Sequence, residues 1–314
     1  MRFRSLRRSG ALGVGVFVGN AWRGAFENET GYVGSLDQLV ARGREGLIEA
    51  FRSLREAPLL DDAAVEVLPP LRTPPKIVCV GLNYSDHTAE SGYKQPEYPT
   101  FFPRFASSLM GHDVPMVRPR VSDTLDFEGE LAVVIGVGGR HIAKADAHSH
   151  VLGYSVFNDG SVREYQFKTP QWTIGKNFDS TGAFGPDLVT ADELPEGAAG
   201  LKIETRLNGE VVQSASINQL IFDVATLIAT LSEAVTLEIG DVIVTGTPSG
   251  IGHARNPKLY MKPGDICEVE IERVGLLRNR ILDEGEALRV CARRRDLAGH
   301  SGGRHDSLKG IYSK

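Results

Sequence analysis

Cysteine is scarce in this sequence. The three thiols, Cys79, Cys267 and Cys291, are odd in number and carry no metal-type spacing, which leaves little room for a disulfide framework or a sulfur-built zinc site. Buried free thiols in a reducing compartment are the expected state, and the cytoplasm the expected location. Long apolar runs are missing as well: none approaches the ~20 residues of a membrane-spanning helix. Nor is there an excess of positive charge. With 35 Lys plus Arg against 40 Asp plus Glu, the net charge is −5, which argues against nucleic acid or an anionic membrane as partner. Arg2, Arg4, Arg7 and Arg8 precede "GALGVGVFVG", but that apolar part is short, broken by glycine and without a small-x-small cleavage site. It reads as a first β-strand rather than an export signal. Its glycines also miss the dinucleotide fingerprint.

What is present is ordinary for a soluble globular protein: 41% hydrophobic and 24% charged residues in 314, enough for one large domain and a smaller one. Residues 1–70 are expected as a small α+β unit, with short strands near 11–19 and 22–26 before "SLDQLVARGREGLIEAFRSL", whose apolar residues fall at helical spacing. "VLPPLRTPPK" (67–76) reads as a stiff linker, because proline fixes φ and extends the residue before it. From there to about 285, short β-like runs dominate. "LNGEVV" carries an Asn-Gly hairpin signal, and 218–235 is amphipathic and helical in pattern. Strands and helices do not alternate, so the fold class expected is α+β and mainly β. Residues 286–314 are basic, glycine-rich and poor in large apolar groups, the composition of a mobile tail.

The stretch "LDFEGELAVVIG" (125–136) sets Asp126, Glu128 and Glu130 at alternate positions of an otherwise buried strand. In an extended chain these share one face, and three aligned carboxylates repel one another more as they are buried. A cation should face them. Asp159, at the end of another β-like run, could complete an all-oxygen site with Glu128 and Glu130 suited to Mg²⁺ or Mn²⁺. Asp126 would then support the site or add a fourth ligand. The alternative is a half-exposed strand whose acids simply face solvent. Further on, "LNYSDHTAE" places His87 and Glu90 one helical turn apart, where the carboxylate can raise the imidazole's basicity; a surface pair of little consequence is the competing reading. His148 and His150 lie in a polar stretch and read as a solvated face. Lys176 sits among turn-like residues, and Thr247 and Ser249 in a glycine-rich turn that could aim N–H groups and hydroxyls at an anion.

Taken in order, "VGLNYSDHTAE", "DFEGELAVVIG", "GYSVFNDGSVREYQ", "QWTIGKNFDSTGAFGP" and "GDVIVTGTPSGIG…KPGDICEVEIERVGLLRN" resemble the fumarylacetoacetate hydrolase family over roughly residues 75–282. They are most similar to its bacterial branch of acylpyruvate hydrolases, 2-hydroxyhepta-2,4-diene-1,7-dioate isomerases and oxaloacetate-type decarboxylases. The resemblance implies a β-sandwich roll, a homodimer, and one Mg²⁺ or Mn²⁺ per active site held by Glu128, Glu130 and Asp159. It implies a catalytic dyad of His87 and Glu90, and contacts to a keto-acid from Arg163, Gln166, Lys176 and Thr247, with Lys176 also catalytic. Two departures stand out. Gly160 follows Asp159 where the family pattern has valine, which is expected to loosen the turn. Arg104 stands where many relatives carry lysine, and an arginine there could grip a substrate carboxylate bidentately. The activity implied is cleavage of the C–C bond of a 2,4-dioxo acid such as fumarylpyruvate or maleylpyruvate, in catabolism of aromatic compounds or sugar acids. Oxaloacetate decarboxylation, dienoate isomerisation and a catalytically inactive metal-binding relative are the alternatives.

Overall fold

The computed structural model describes residues 1–85 and 96–287. Its centre is the strand Gly129–Ile135, every residue of which is buried. Successive side chains of a strand point to opposite faces, and here both faces are covered. Leu131, Val133 and Ile135 enter one hydrophobic core, while Ala132 and Val134 enter another. That double burial explains why the run turns wholly apolar after Glu130 instead of alternating.

An eleven-stranded mixed sheet contains this strand. Its main path runs through Ala21–Phe26, Ala11–Val18, Arg2–Arg8, Gly182–Thr190, Val151–Asp159, Gly129–Ile135, Val242–Val244, Ile77–Gly81 and Thr100–Pro103. A five-stranded sheet, Glu210–Ser216, Lys202–Leu207, Ile266–Ile271, Gly275–Asp283 and Met116–Arg118, packs on one face. Ile203, Val269, Ile271, Leu277 and Ile281 meet Leu131 and Val133 there in a single core. On the opposite face lie two helices, α1 (Leu36–Val40) and α2 (Gly43–Leu54), whose Leu36, Leu39, Leu47 and Leu54 pack with Val134 and Phe157. The result is the expected α+β, mainly β sandwich.

The local signals act as physical chemistry requires. Asn208 and Gly209 both take positive φ, 54° and 84°, and join Lys202–Leu207 to Glu210–Ser216 by a two-residue turn whose twist matches the strands. The helix expected over 218–235 is shorter. Ser216 and Gln219 close a capping box around a 3-10 turn at Ile217–Gln219, and the helix restarts at Val224–Ala234, where Asp223 accepts from the Thr226 N–H at 2.7 Å. Residues 1–70, expected as a unit apart, are tied into the body. Arg2 and Phe3 pair with Val189 and Leu188 in the main sheet, and Leu68, Leu71 and both intervening prolines of the expected linker are buried. Cys79 and Cys267 are buried free thiols. Cys291 and the basic tail from 288 onward lie outside the described residues. Among the described residues no helix is long and apolar enough to cross a membrane.

Leu131 is fully buried, so Leu131→Ala should cost about 2–5 kcal/mol of stability through lost transfer energy and the cavity left behind. Leu59 is 63% exposed, and Leu59→Ala should stay within about 0.5 kcal/mol. Urea unfolding of the two variants beside the parent checks the contrast.

Candidate active site

Strand register assembles the acidic centre. In the antiparallel pair of Gly129–Ile135 with Val151–Asp159, Gly129 lies opposite Asn158, the Asp159 N–H donates to the Glu128 carbonyl at 2.8 Å, and the Asn158 side chain accepts from the Glu128 N–H at 3.0 Å. Glu128 and Asp159 therefore meet at one end of the pair, with Glu130 one step inside. Carboxylate oxygens of Glu128, Glu130 and Asp159, all buried, lie within 4.8 Å of one another.

The expected cations are there. Lys176 Nζ is 2.6 Å from Glu128 Oε2 and 2.6 Å from Asp159 Oδ2. Arg163 places Nη1 2.6 Å from Glu128 Oε1 and Nε 2.8 Å from Asp126 Oδ2. Arg104 pairs with Asp159 from the other side. Four carboxylates thus face three cations in one buried cluster, and the remaining negative charge falls on Glu130. Glu130 Oε2 accepts from the Gly246 N–H at 2.5 Å. Burial, followed by repulsion from Asp159 and Glu128, pushes the Glu130 carboxyl well above the usual range, although Lys176 and the Gly246 N–H oppose the shift. For Lys176, burial alone would lower the ammonium, but Asp159 and Glu128 outweigh it and the net shift is upward. The ammonium is held protonated.

Asp126 does not join the trio. The strand Leu125–Asp126 ends there and pairs with Ser161–Val162, so the even alternation with Glu128 and Glu130 is broken. Asp126 instead accepts from the Gly252 and His253 N–H groups at 2.8 Å each and from Arg163. It anchors a loop and an arginine.

A cavity of about 390 Å³ opens over Glu128 and Glu130, with Asp159 buried behind them. Glu128, Glu130, Arg163, Gln166, Lys176 and Thr247 all line it. Arg163 keeps Nη2 buried and without a hydrogen-bond partner among the described residues, a donor left for a ligand. Gln166 accepts from Arg163 Nη1 at 2.8 Å. The Thr247 hydroxyl is already engaged, donating to the Gly129 carbonyl at 3.0 Å and accepting from Gln213 at 2.8 Å. Trp172 and Phe102, edge to face at 5.6 Å, form an apolar wall that the sequence motifs did not flag. His253, another wall residue, was also missed; its position just past "GTPSGIG" was the available signal.

Two expectations need correction. Arg104 does not reach the cavity: its side chain is fully buried, with Nη2 donating to Thr181 Oγ1 at 2.7 Å and Nε to Ser108 Oγ at 3.0 Å. Gly182 makes the room, since a Cβ there would sit 2.5 Å from Arg104 Nε. Arg104 braces Asp159 from behind rather than gripping substrate. Gly160 does not loosen its turn either. A Cβ at 160 would lie 2.3 Å from the Thr181 carbonyl, so glycine permits a close backbone approach beside Asp159. His87 and Glu90 lie outside the described residues.

A mainly β sandwich that buries a carboxylate trio beside a lysine, under an arginine-lined cavity, defines an enzyme-type acidic centre. The family profile described as Fumarylacetoacetate (FAA) hydrolase C-terminal matches residues 76–282, and the chain belongs to this family. The mitochondrial oxaloacetate tautomerase of Homo sapiens is 43% identical over 251 residues, covering 79% of this chain and 80% of the human one. A counterpart from Rattus norvegicus is 41% identical over 247 residues, 78% and 79% of the two chains. Their mitochondrial names lend the expected cytoplasmic location no support. Among solved structures, fumarylacetoacetate hydrolase from Exiguobacterium antarcticum superposes with TM-score 0.78 at 36% identity, covering 90% of this chain and 100% of that one. Maleylpyruvate hydrolase from Sphingobium sp. SYK-6, in complex with manganese(II) and pyruvate, gives 0.73 at 27%, covering 90% and 99%.

Removing one partner of a buried ion pair leaves the other charge uncompensated. Arg104→Leu should therefore destabilise the protein by about 3–5 kcal/mol in EDTA, read by urea unfolding. A loss below about 1 kcal/mol would remove Arg104 from its bracing role.

Proposed function

We propose that the chain is a Mg²⁺- or Mn²⁺-dependent enzyme that moves a proton on the carbon next to the carbonyl of a small 2-oxo acid, with oxaloacetate as its substrate. The reading rests on the trio: three buried carboxylates within 4.8 Å, one of them short of a counter-charge. Hard oxygen donors of this kind suit Mg²⁺ and Mn²⁺, and Glu128, Glu130 and Asp159 would hold one ion per site. When bound, such an ion supplies Lewis acidity toward the 2-oxo oxygen and so favours the enol form.

The chain's own groups do the rest. Arg163 offers its free Nη2 to the substrate's near carboxylate, in the planar geometry that suits guanidinium. Gln166, held by Arg163, fixes the orientation of that fork. Lys176, kept protonated between Glu128 and Asp159, stands where an enol oxygen's charge and proton can be managed. By the family resemblance, the base that takes the proton from C3 and returns it would be His87, with Glu90 as its partner in the dyad. The expected partners belong to the same proposal: a small oxo-acid, a second copy of the chain as homodimer, and neither nucleic acid nor membrane.

Support for oxaloacetate comes from the two tautomerases at 41% and 43% identity over most of both chains. The second reading, hydrolysis of an acylpyruvate to pyruvate and a carboxylic acid, draws on the maleylpyruvate hydrolase structure with manganese and pyruvate. Both reactions need the same enol-stabilising floor. They differ in whether water attacks a second carbonyl.

One panel separates them: oxaloacetate, acetylpyruvate, fumarylpyruvate and maleylpyruvate, each with Mg²⁺ or EDTA, with products identified. Loss of the ultraviolet absorbance of enol-oxaloacetate should be accelerated in Mg²⁺ and not in EDTA; cleavage of an acylpyruvate with oxaloacetate untouched would favour hydrolysis. Mg²⁺ at about 100 times its Kd should stabilise the fold by about 2.7 kcal/mol. Glu128→Ala should stay folded at a cost of about 3–5 kcal/mol, because Lys176 and Arg163 lose a shared partner, and should lose both the Mg²⁺ stabilisation and turnover; a variant with full turnover would rule out this site.

A further inference from the structure

The proposed reaction occupies the floor of the cavity, yet the rim carries cationic chemistry of its own. His253 lines the cavity and is half-buried. Its ring is fixed in place: Nδ1 lies 2.8 Å from the Tyr260 hydroxyl, and the Phe167 ring packs against it with centroids 5.0 Å apart. Lys258 Nζ lies 3.2 Å from Nδ1 and 3.4 Å from Nε2. Lys258 is exposed and has no ion pair with a carboxylate among the described residues; its ammonium has the His253 ring as its neighbour. A cation left beside an imidazole at the edge of a cavity is a site for an anion.

The loop carrying this pair is not free to drift. Asp126 accepts from both the Gly252 and His253 N–H groups, Leu259 donates back to the Gly252 carbonyl at 3.0 Å, and Arg255 ties the loop to the Gly250 and Val212 carbonyls at 3.0 and 2.6 Å. The same Asp126 holds Arg163. One carboxylate therefore fixes the arginine on the floor and the histidine on the rim in relation to each other. Burial first, then the Lys258 and Arg163 charges, lower the His253 pKa, so the imidazole stays neutral and Lys258 supplies the charge.

We propose that His253 and Lys258 form an anion subsite at the cavity rim that binds the far carboxylate of a dicarboxylic 2-oxo acid. The proposal rests on the reading of the trio as the place where the oxo-acid end is held. It assigns the two ends of such a dicarboxylate, the near carboxylate to Arg163 and the far one to the rim.

L-malate and L-lactate, stable 2-hydroxy counterparts of oxaloacetate and pyruvate that differ in the far carboxylate, test it by calorimetric titration in Mg²⁺. The parent protein should bind malate at least about tenfold more tightly than lactate, a difference of about 1.4 kcal/mol. Lys258→Met and His253→Leu should reduce that preference to within about twofold while leaving lactate affinity in place, and His253→Gln, which keeps a donor, should restore part of it. No preference in the parent, an undiminished preference in both variants, or an equal loss of both ligands would overturn the subsite. Turnover of oxaloacetate is judged separately. A parent inert toward oxaloacetate whose malate preference vanishes in the variants keeps the subsite and removes the reaction; active enzyme with an unchanged preference does the reverse.

Discussion

Four carboxylates and three cations share one buried volume, and the surrounding architecture is arranged to hold them there. Desolvating an ion costs several kcal/mol even after relaxation, so the cluster is stable only while each group keeps its partners. That explains the unusual supports around it: Arg104 filling the space opened by Gly182, Asn158 capping the Glu128 N–H, and the Gly246 N–H on Glu130. It also explains the reactivity the cluster withholds. Cys79 lies close enough for Asp159 and Glu130 to add to the effect of burial, which pushes its thiol well above the ordinary value, and burial sends Cys267 up to about 12. Neither thiol is a nucleophile here.

Much of this was legible in the amino-acid order. Asn208-Gly209 named its hairpin because only left-handed residues make that turn. The alternating acids before an apolar run announced a buried cluster because repulsion at that spacing demands a counter-charge. What escaped depended on partners distant in sequence. Asp126 left the shared face because its strand ends to pair with Ser161–Val162. Arg104 turned away from the cavity because Thr181, Ser108 and Asp159, brought in by other strands, satisfy its donors. Gly160, which suggests looseness when read alone, marks tight backbone contact with Thr181. Residues 1–70 resembled a separate unit because their own helices and strands are local, whereas the pairing of Arg2 with Val189 has no local trace.

The floor and the walls of the cavity carry different kinds of information. In the proposed reading the trio with Lys176 would stabilise negative charge on an enol oxygen, a demand common to tautomerisation, decarboxylation and hydrolysis alike. Discrimination belongs to the walls, where Trp172 and Phe102 present flat apolar surface and Arg163, Gln166 and His253 present donors. A protein of this design can change substrate by altering its walls while its floor stays as it is.

The route of the chain through the main sheet has a consequence for how the molecule is made. Arg2–Arg8 must sit beside Gly182–Thr190, a strand that leaves the ribosome long after the first hairpin has formed. Until then the edge of that nascent hairpin exposes unpaired N–H and C=O groups, a template for any passing strand. Its alternate arginines, Arg2 and Arg4, later find the Val274 carbonyl and Asp187. Charge on an edge strand disfavours pairing with other chains, so the side chains that lock the finished sheet are of the kind that keeps an unfinished edge from mispairing.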